Sequence, residues 1–329
     1  MTTEFSEDLL AGLDDIDWAR LDHAYGYADD VPGQIRQACG DGEARRKAWS
    51  MLFSNVFHQG SRYTASPYTV PFFARIAIAG RHPARSSALT MLKVLAIDWH
   101  DEYDLPGGID TAAWRTVAAE FTPQREVAWY DEQIAVEADP EKRRGLQETR
   151  AYCAAGGTID ARASALVCYD AVRAELPSLL CLLEDPDSHI RTQAAYLLAW
   201  FPEEGALSVP GLLAQLDCET DPRAAATALV AAGLVGDHTL IERLRPWLVD
   251  SDPLVRWGAA TALARLVTTV PGAVTGLRKD GLVPQIIEEL TKAAESPALQ
   301  SGAEFNDGNL RGYATRSLAP LVKPRCSHF

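Results

Sequence analysis

Residues 183–199 read LEDPDSHIRTQAAYLLA and residues 248–264 read LVDSDPLVRWGAATALA, and the two stretches align without a gap. Each places an Asp-rich turn before an arginine, Arg191 or Arg256, which is followed by Ala three residues on and Leu seven residues on. These positions share one face of an α-helix, where the small Ala lets a neighbouring helix approach closely. An apolar helix precedes each turn, so the pattern predicts a repeat of helix, short Asp/Pro turn and helix.

The same frame recurs along the chain, which makes it a structural repeat. Further copies begin at Arg45, Arg85, Arg162 and Arg311, and one at Pro222 has its arginine displaced to Arg223. Such a repeat cannot bury its apolar face alone, so the copies must stack. Sustained period-two alternation and Asn-Gly or Asp-Gly hairpins between β-branched runs are absent from the sequence. We therefore predict an all-α, right-handed α-solenoid of about seven stacked helix pairs.

The spacing and the charge suggest a division of the chain. Residues 1–30 hold nine acidic residues against one base, Arg20, which is more than half of the net charge of −14. We expect an acidic N-terminal cap over residues 1–40 and the solenoid over residues 41–329. The long interval before Arg311 indicates an insertion at 295–309. An acidic balance disfavours nucleic acid, whose phosphates are bound by Lys and Arg, and favours a basic protein partner or simple solubility.

The Asp-Pro-x-x-x-x-Arg pattern from Asp185 to Arg191 and the Asp-Pro-Leu-Val-Arg run from Asp252 to Arg256 resemble HEAT repeats. The runs DIDWARLDHAYGYADDVPGQI (from Asp15) and GNLRGYATRSLAPL (from Gly308) are similar to bacterial, particularly actinobacterial-type, HEAT-repeat proteins. The resemblance implies a ladder of Asp and Arg side chains between neighbouring repeats, to which Asp185, Arg191, either Asp250 or Asp252, and Arg256 would contribute. The copy at Pro222 lacks the arginine in frame, which interrupts the expected ladder there.

Two sets of side chains are candidates for binding a partner. The segment from Asn55 to Tyr68 follows the first Arg-bearing helix and is expected to be a polar loop, a common place for binding groups on a rigid scaffold. It contributes His58, Arg62, Tyr63 and Tyr68. The second set consists of aromatic residues on Arg-bearing helices, which either form a binding stripe of hot-spot residues or are buried between layers: Trp49, Tyr196, Trp200, Trp257 and Tyr313.

The sequence contains no motif that predicts a metal site or a cofactor. His-Glu-x-x-His, EF-hand and phosphate-cradling G-x-x-x-x-G-K patterns are absent. The acidic run from Asp98 to Asp104 holds suitable ligand types, but it is better explained as a loop between helices. No apolar stretch approaches the ~20 residues that span a bilayer, and the acidic N-terminus is unlike a secretion signal. We expect a cytoplasmic protein without metal or cofactor.

These features favour a protein–protein interaction module or scaffold, for example an immunity-type or regulatory partner that neutralises a basic protein. The alternative is an enzyme on a HEAT-like scaffold with a site near His58, Arg62 and Tyr63. Alkylpurine DNA glycosylases and bilin lyases are precedents by resemblance. A glycosylase would require a continuous positive groove, and a lyase a deep pocket at that site.

Overall fold

The computed structural model describes residues 9–97, 105–156, 161–269, 280–296 and 303–322. The structure is 75% helical, with 15 α-helices in these ranges that pack in neighbouring pairs. This confirms the predicted all-α class and the helix pair as the building block of a HEAT-like solenoid. Contacts divide the chain into two compact units, 1–97 with 110–175 and 98–109 with 176–329. The predicted cap lies inside the first unit, and its boundary at residue 40 stays a prediction.

The first unit contains seven helices and most of an eighth, with α1 packed on α2, α3 on α4, and α6 on α7. Their bounds are α1 Val31–Ala38, α2 Gly42–Val56, α3 Ser66–Ala79, α4 Ala84–Ala96, α5 Thr111–Ala118, α6 Pro123–Val136, α7 Pro140–Ala154 and α8 Ala161–Leu179. Side-chain caps begin several of them, as where the Thr122 hydroxyl accepts from the Arg125 N–H at 3.3 Å.

Two short hairpins in the first unit were not predicted. Strand β1 (Asp22–His23) pairs with β2 (Gly26–Tyr27), and β3 (Phe57–His58) pairs with β4 (Ser61–Arg62). The second hairpin turns at Gln59 and Gly60, whose φ angles of 50° and 84° fit a primed two-residue turn. The expectation of a plain loop between Asn55 and Tyr68 was therefore wrong, because Gln-Gly supplies the turn that Asn-Gly or Asp-Gly usually forms.

The second unit contains the helices α9 Ser188–Leu198, α10 Gly205–Cys218, α11 Pro222–Val235, α12 Ile241–Leu244, α13 Pro253–Thr269, α14 Leu282–Glu295 and α15 Leu310–Val322. Helix α11 is buried on every side from Ala224 to Val235, since it packs against α9, α10 and α13. The predicted insertion at 295–309 lies partly outside the described residues. Its described part includes Phe305, which is fully buried.

Arg191 and Arg256 bind in the same way in their two repeats. Each Nη1 donates to a carbonyl of its own turn, Asp185 O at 2.6 Å and Asp250 O at 2.7 Å. Each guanidinium also pairs with a carboxylate of a later segment: Arg191 with Glu219 at 2.6 Å and Arg256 with Glu289 at 2.9 Å. These contacts link each arginine to a glutamate of the following repeat, whereas the resemblance implies a ladder of arginines with aspartates.

The aspartates of the Asp-Pro pattern accept hydrogen bonds from backbone N–H groups. Asp185 Oδ1 accepts from the Asp187 N–H at 3.0 Å, and Asp252 Oδ1 accepts from the Leu254 N–H at 2.8 Å. These bonds order the turn and satisfy a free N–H at the start of α13. The assignment of Asp252 as an ion-pairing member of the ladder is corrected on this ground: it caps a helix.

Helices α11 and α13 cross at two glycines. A Cβ built on Gly233 would lie 2.6 Å from the Ala262 Cα, and one on Gly258 would lie 2.9 Å from the Ala226 Cα. Each glycine thus faces an alanine of the other helix, and the opposing atoms belong largely to backbone. These four residues lie outside the alanine position of the repeat frame, which is Ala225 in α11 and Ala259 in α13.

We predict that Gly233→Ala and Gly258→Ala each destabilise the protein by about 1–3 kcal/mol, because the added methyl overpacks the crossing. Gly145→Ala is the matched control: it lies on the exposed surface of α7, where nothing within 4 Å meets a Cβ. That substitution should stabilise by about 0.5–1 kcal/mol through helix propensity alone. Denaturant unfolding monitored by circular dichroism measures the change in the free energy of unfolding for each variant. A neutral or stabilising Gly258→Ala would contradict the close crossing.

Glu219 makes the ladder sensitive to acid. Burial tends to raise its pKa, but hydrogen bonds from Arg191, the Asp221 N–H and Gln215 outweigh burial and lower the pKa to about 2. A carboxyl whose folded pKa is depressed contributes stability above its unfolded pKa and loses it as the pH falls. The wild type should therefore be more stable than Glu219→Gln by about 2–4 kcal/mol at neutral pH. This difference should shrink from about pH 5 to about pH 2, and unfolding titrations that show it constant would contradict the assignment.

Candidate interaction surface

Hydrogen bonds join the first hairpin to the residues that flank the second hairpin. The Ala24 N–H donates to Asn55 O at 2.9 Å, at the end of α2. The Asp22 N–H donates to the Thr64 hydroxyl at 2.7 Å, and the Ala65 N–H donates back to Asp22 O at 3.1 Å. Hairpin β1–β2 is therefore fixed to the segment that carries β3–β4 and the start of α3.

A part-buried network of polar side chains, with the half-exposed Asp30 at its centre, supports the first hairpin. His23, 8% exposed, places its Nδ1 3.0 Å from the Tyr25 N–H and its Nε2 3.0 Å from Asp30 Oδ1. Since Nδ1 accepts from the backbone, the neutral ring carries its proton on Nε2 and donates to Asp30. Gln34 also donates to Asp30, at 2.7 Å, and Asn55 donates to Gln34 at 3.2 Å. This chain of hydrogen bonds holds the Tyr25 turn in one orientation.

The hairpins and the first turn of α3 carry exposed aromatic side chains. Tyr25 is 66% exposed, Tyr27 70% and Tyr68 47%. The His58 ring lies edge-on to Tyr25 with ring centroids 5.4 Å apart, and the Tyr25 hydroxyl lies 3.3 Å from His58 Nδ1. We call Tyr25, Tyr27, His58, Tyr63 and Tyr68 the hairpin surface. Aromatic side chains on rigid supports lose little entropy on binding, which suits them to protein recognition.

Tyr63 and the groups around it are less exposed. Burial raises the pKa of the Tyr63 phenol, as does neighbouring Tyr25, while a hydrogen bond with Ser61 lowers it. Burial, followed by the nearby Asp22, raises the pKa of Tyr152 to about 12. Burial also raises the pKa of Asp22, against the opposing effect of His23. The phenols at the edge of the hairpin surface are thus neutral hydrogen-bonding groups at physiological pH.

Arg62 does not belong to this surface. Its side chain is only 5% exposed, and its Nε and Nη2 donate to Leu95 O at 3.1 Å and Val94 O at 2.8 Å. Nη1 donates to Gly60 O at 2.9 Å, and the guanidinium lies 5.1 Å from the Phe57 ring centroid. Arg62 therefore satisfies carbonyls at the end of α4 and closes the hairpin turn. The expectation that it binds a partner or substrate is corrected, since its donors are used inside the fold.

The aromatic residues of the Arg-bearing helices are buried. Of the two alternatives for this set, a binding stripe or burial between layers, burial is therefore the one observed. These residues are at most 7% exposed: Trp49, Tyr196, Trp200, Trp257 and Tyr313. Trp49 packs on Phe73 with ring centroids 5.5 Å apart. The expectation of an open binding stripe is corrected accordingly.

The chain itself covers part of this aromatic set in the second unit. Phe305 lies 4.8 Å from Tyr196, 6.0 Å from Trp200 and 6.2 Å from Tyr313, measured between ring centroids. Phe305 comes from the segment interpreted as an insertion. The aromatic residues Tyr196 and Trp200, which the sequence offered as binding residues, are therefore in contact with Phe305, a residue distant in sequence.

Sequence reasoning missed Tyr25 and Tyr27 as surface residues. Both stand in the run quoted for its resemblance, flanking Gly26, whose φ is 133°. The signal that could have found them is the Tyr-Gly-Tyr pattern next to a buried histidine, which is typical of a tight turn that projects side chains outward. The acidic run 98–104 lies outside the described residues. Within the described ranges, three or more His, Cys, Asp or Glu side chains nowhere gather as a metal site would require.

Comparison with known proteins bears on residues 209–282, which match the family model for HEAT repeats. The chain thus contains HEAT repeats, as the Asp-Pro and Arg pattern predicted. A crystal structure of an engineered protein is 19% identical, covering 97% of this chain and 78% of that chain at a TM-score of 0.33. A search of curated proteins gives no match. In the part of the chain that the structure describes, every helix is too short or too polar to cross a membrane.

Proposed function

We propose that this HEAT-repeat chain is a protein-binding scaffold whose first unit holds a basic protein partner on the hairpin surface. HEAT repeats generally bind protein partners. The observation that carries the more specific proposal is the exposure of Tyr25 and Tyr27 on a hairpin that a part-buried hydrogen-bond network holds in place. Tyrosine is enriched among the residues that dominate interface energies.

Charge supports a basic partner. The whole chain carries −14, and the segment around the first hairpin exposes Asp15 and Asp29, which pair with no basic side chain in the described ranges. Asp14 and Asp17 are already paired with Arg36 and Arg20. The unpaired carboxylates next to the tyrosines would steer a basic protein towards them and repel phosphates. Such binding would suit a regulatory or immunity-type protein.

The enzyme alternative has less support. Of its three residues, Arg62 is committed to backbone carbonyls, which leaves His58 and Tyr63. The His58 ring contacts the phenol of Tyr25, and that pairing supplies no carboxylate to orient the ring for base catalysis. A catalytic site at His58 and Tyr63 stays a prediction.

The test compares affinity capture with the wild type, a Tyr25→Ala/Tyr27→Ala variant and a Trp129→Ala control in parallel. Trp129 is 51% exposed on α6, so the control removes an exposed aromatic from elsewhere in the first unit. We expect a basic protein that the wild type and Trp129→Ala both retain at low salt. About 0.5 M salt, where the Debye length is about 4 Å, should release it.

The captured protein is then titrated against each variant by calorimetry. Loss of two hot-spot tyrosines should weaken binding at least about 30-fold, while Trp129→Ala should change it less than about threefold. A partner that binds equally to the double tyrosine variant would refute the hairpin surface as the site. A partner held with undiminished affinity at high salt would refute the electrostatic part.

A further inference from the structure

The second unit contains a cavity of about 400 Å³ that the proposed function does not use. It lies between the end of α13, the end of α15 and the turn at Pro106 and Gly107. Its volume is in the range of small-molecule sites rather than of packing defects. The hairpin surface contributes no residue to it.

Arg265 provides a cation at this cavity. Its Nε donates to Gly107 O at 3.2 Å and its Nη1 to Gly233 O at 2.7 Å. Nη2 makes no hydrogen bond, and no carboxylate in the described ranges forms an ion pair with the guanidinium. Burial lowers the pKa of Arg265, against a smaller effect of Tyr313. A half-buried guanidinium without an anionic partner is costly, and an anion in the cavity would supply one.

Ser317 provides a second donor. It lines the cavity, is fully buried, and its hydroxyl has no hydrogen-bond partner in the described part of the chain. A serine inside a helix usually bonds a carbonyl of the preceding turn, and among the described residues Ser317 is the cavity-lining member of a small set of buried hydroxyls that do not, with Ser208 and Thr261. Thr269, by contrast, donates to Leu266 O at 2.8 Å. The remaining wall is mainly apolar, with Pro106, Ala264 and Pro320.

We propose that this cavity binds a small organic carboxylate, whose oxygens accept hydrogen bonds from Arg265 Nη2 and the Ser317 hydroxyl. Its apolar body lies against the two prolines and Ala264. A carboxylate fits better than a phosphate, because the described wall offers one cation and one free hydroxyl, too few donors for three phosphate oxygens. The site is independent of the hairpin surface, so either proposal can fail without the other.

The test uses benzoate as the probe, with neutral benzyl alcohol and inorganic phosphate as comparison ligands, measured on the full chain by saturation-transfer NMR and calorimetry. We expect benzoate to bind with a dissociation constant of about 1 mM or below, and the other two at least about tenfold more weakly. Arg265→Gln should weaken benzoate binding at least about tenfold, and Ser317→Ala about two- to tenfold.

Ser317→Ala keeps the test valid if Arg265→Gln fails to fold, because deleting an unpaired buried hydroxyl should leave stability unchanged or higher. Ser208→Ala is the matched control: it removes another fully buried hydroxyl without a partner in the described ranges, away from the cavity. Ser208→Ala should bind benzoate like the wild type. Absence of benzoate binding, or equal binding by Ser317→Ala, overturns the site, and tighter binding of phosphate or benzyl alcohol overturns the carboxylate assignment.

Discussion

The helix pairs of the second unit depend on the hydrogen bonds and the ion pair formed by the arginine at the first position of the repeat frame. Arg191 and Arg256 each join carbonyls of their own turn to a glutamate that lies 28 or 33 residues further along the chain. One side chain thus fixes both the turn inside a repeat and the position of the next repeat. The Glu219 carboxylate is fully buried, and hydrogen bonds from Arg191, from Gln215 and from the Thr220 and Asp221 N–H groups offset its desolvation.

This role of arginine recurs where no carboxylate is involved. Arg311 donates to Ala294 O at 2.9 Å and Arg62 to the end of α4, so that in both cases a guanidinium satisfies carbonyls that a helix end leaves open. The arginines at the first position of the frame in three repeats, Arg191, Arg256 and Arg311, thus all donate to backbone carbonyls inside the fold. For this reason the proposed function assigns recognition to other side chains, the exposed tyrosines of the first unit.

The sequence predicted the helix pair, because it depends on local periodicity, but it did not predict that Gly233 and Gly258 would form the crossing of α11 and α13. It did not predict which acid would pair with Arg191, since Glu219 stands outside the frame and only folding brings it near. It also did not predict that Phe305 would cover Tyr196 and Trp200. Burial of an aromatic residue depends on what packs over it, and here that residue is more than a hundred positions away.

The central claim is that the repeat's own aromatic residues are core, whereas the hairpin tyrosines face solvent. Hydroxyl-radical footprinting read by mass spectrometry tests it residue by residue on the unmodified protein. Tyr25 and Tyr27 should be oxidised at rates close to those of a free tyrosine. Trp200, Trp257 and Tyr313 should be protected at least about tenfold, as residues of a packed interior are. Oxidation of Trp200 or Trp257 as fast as that of Tyr27 would contradict the account.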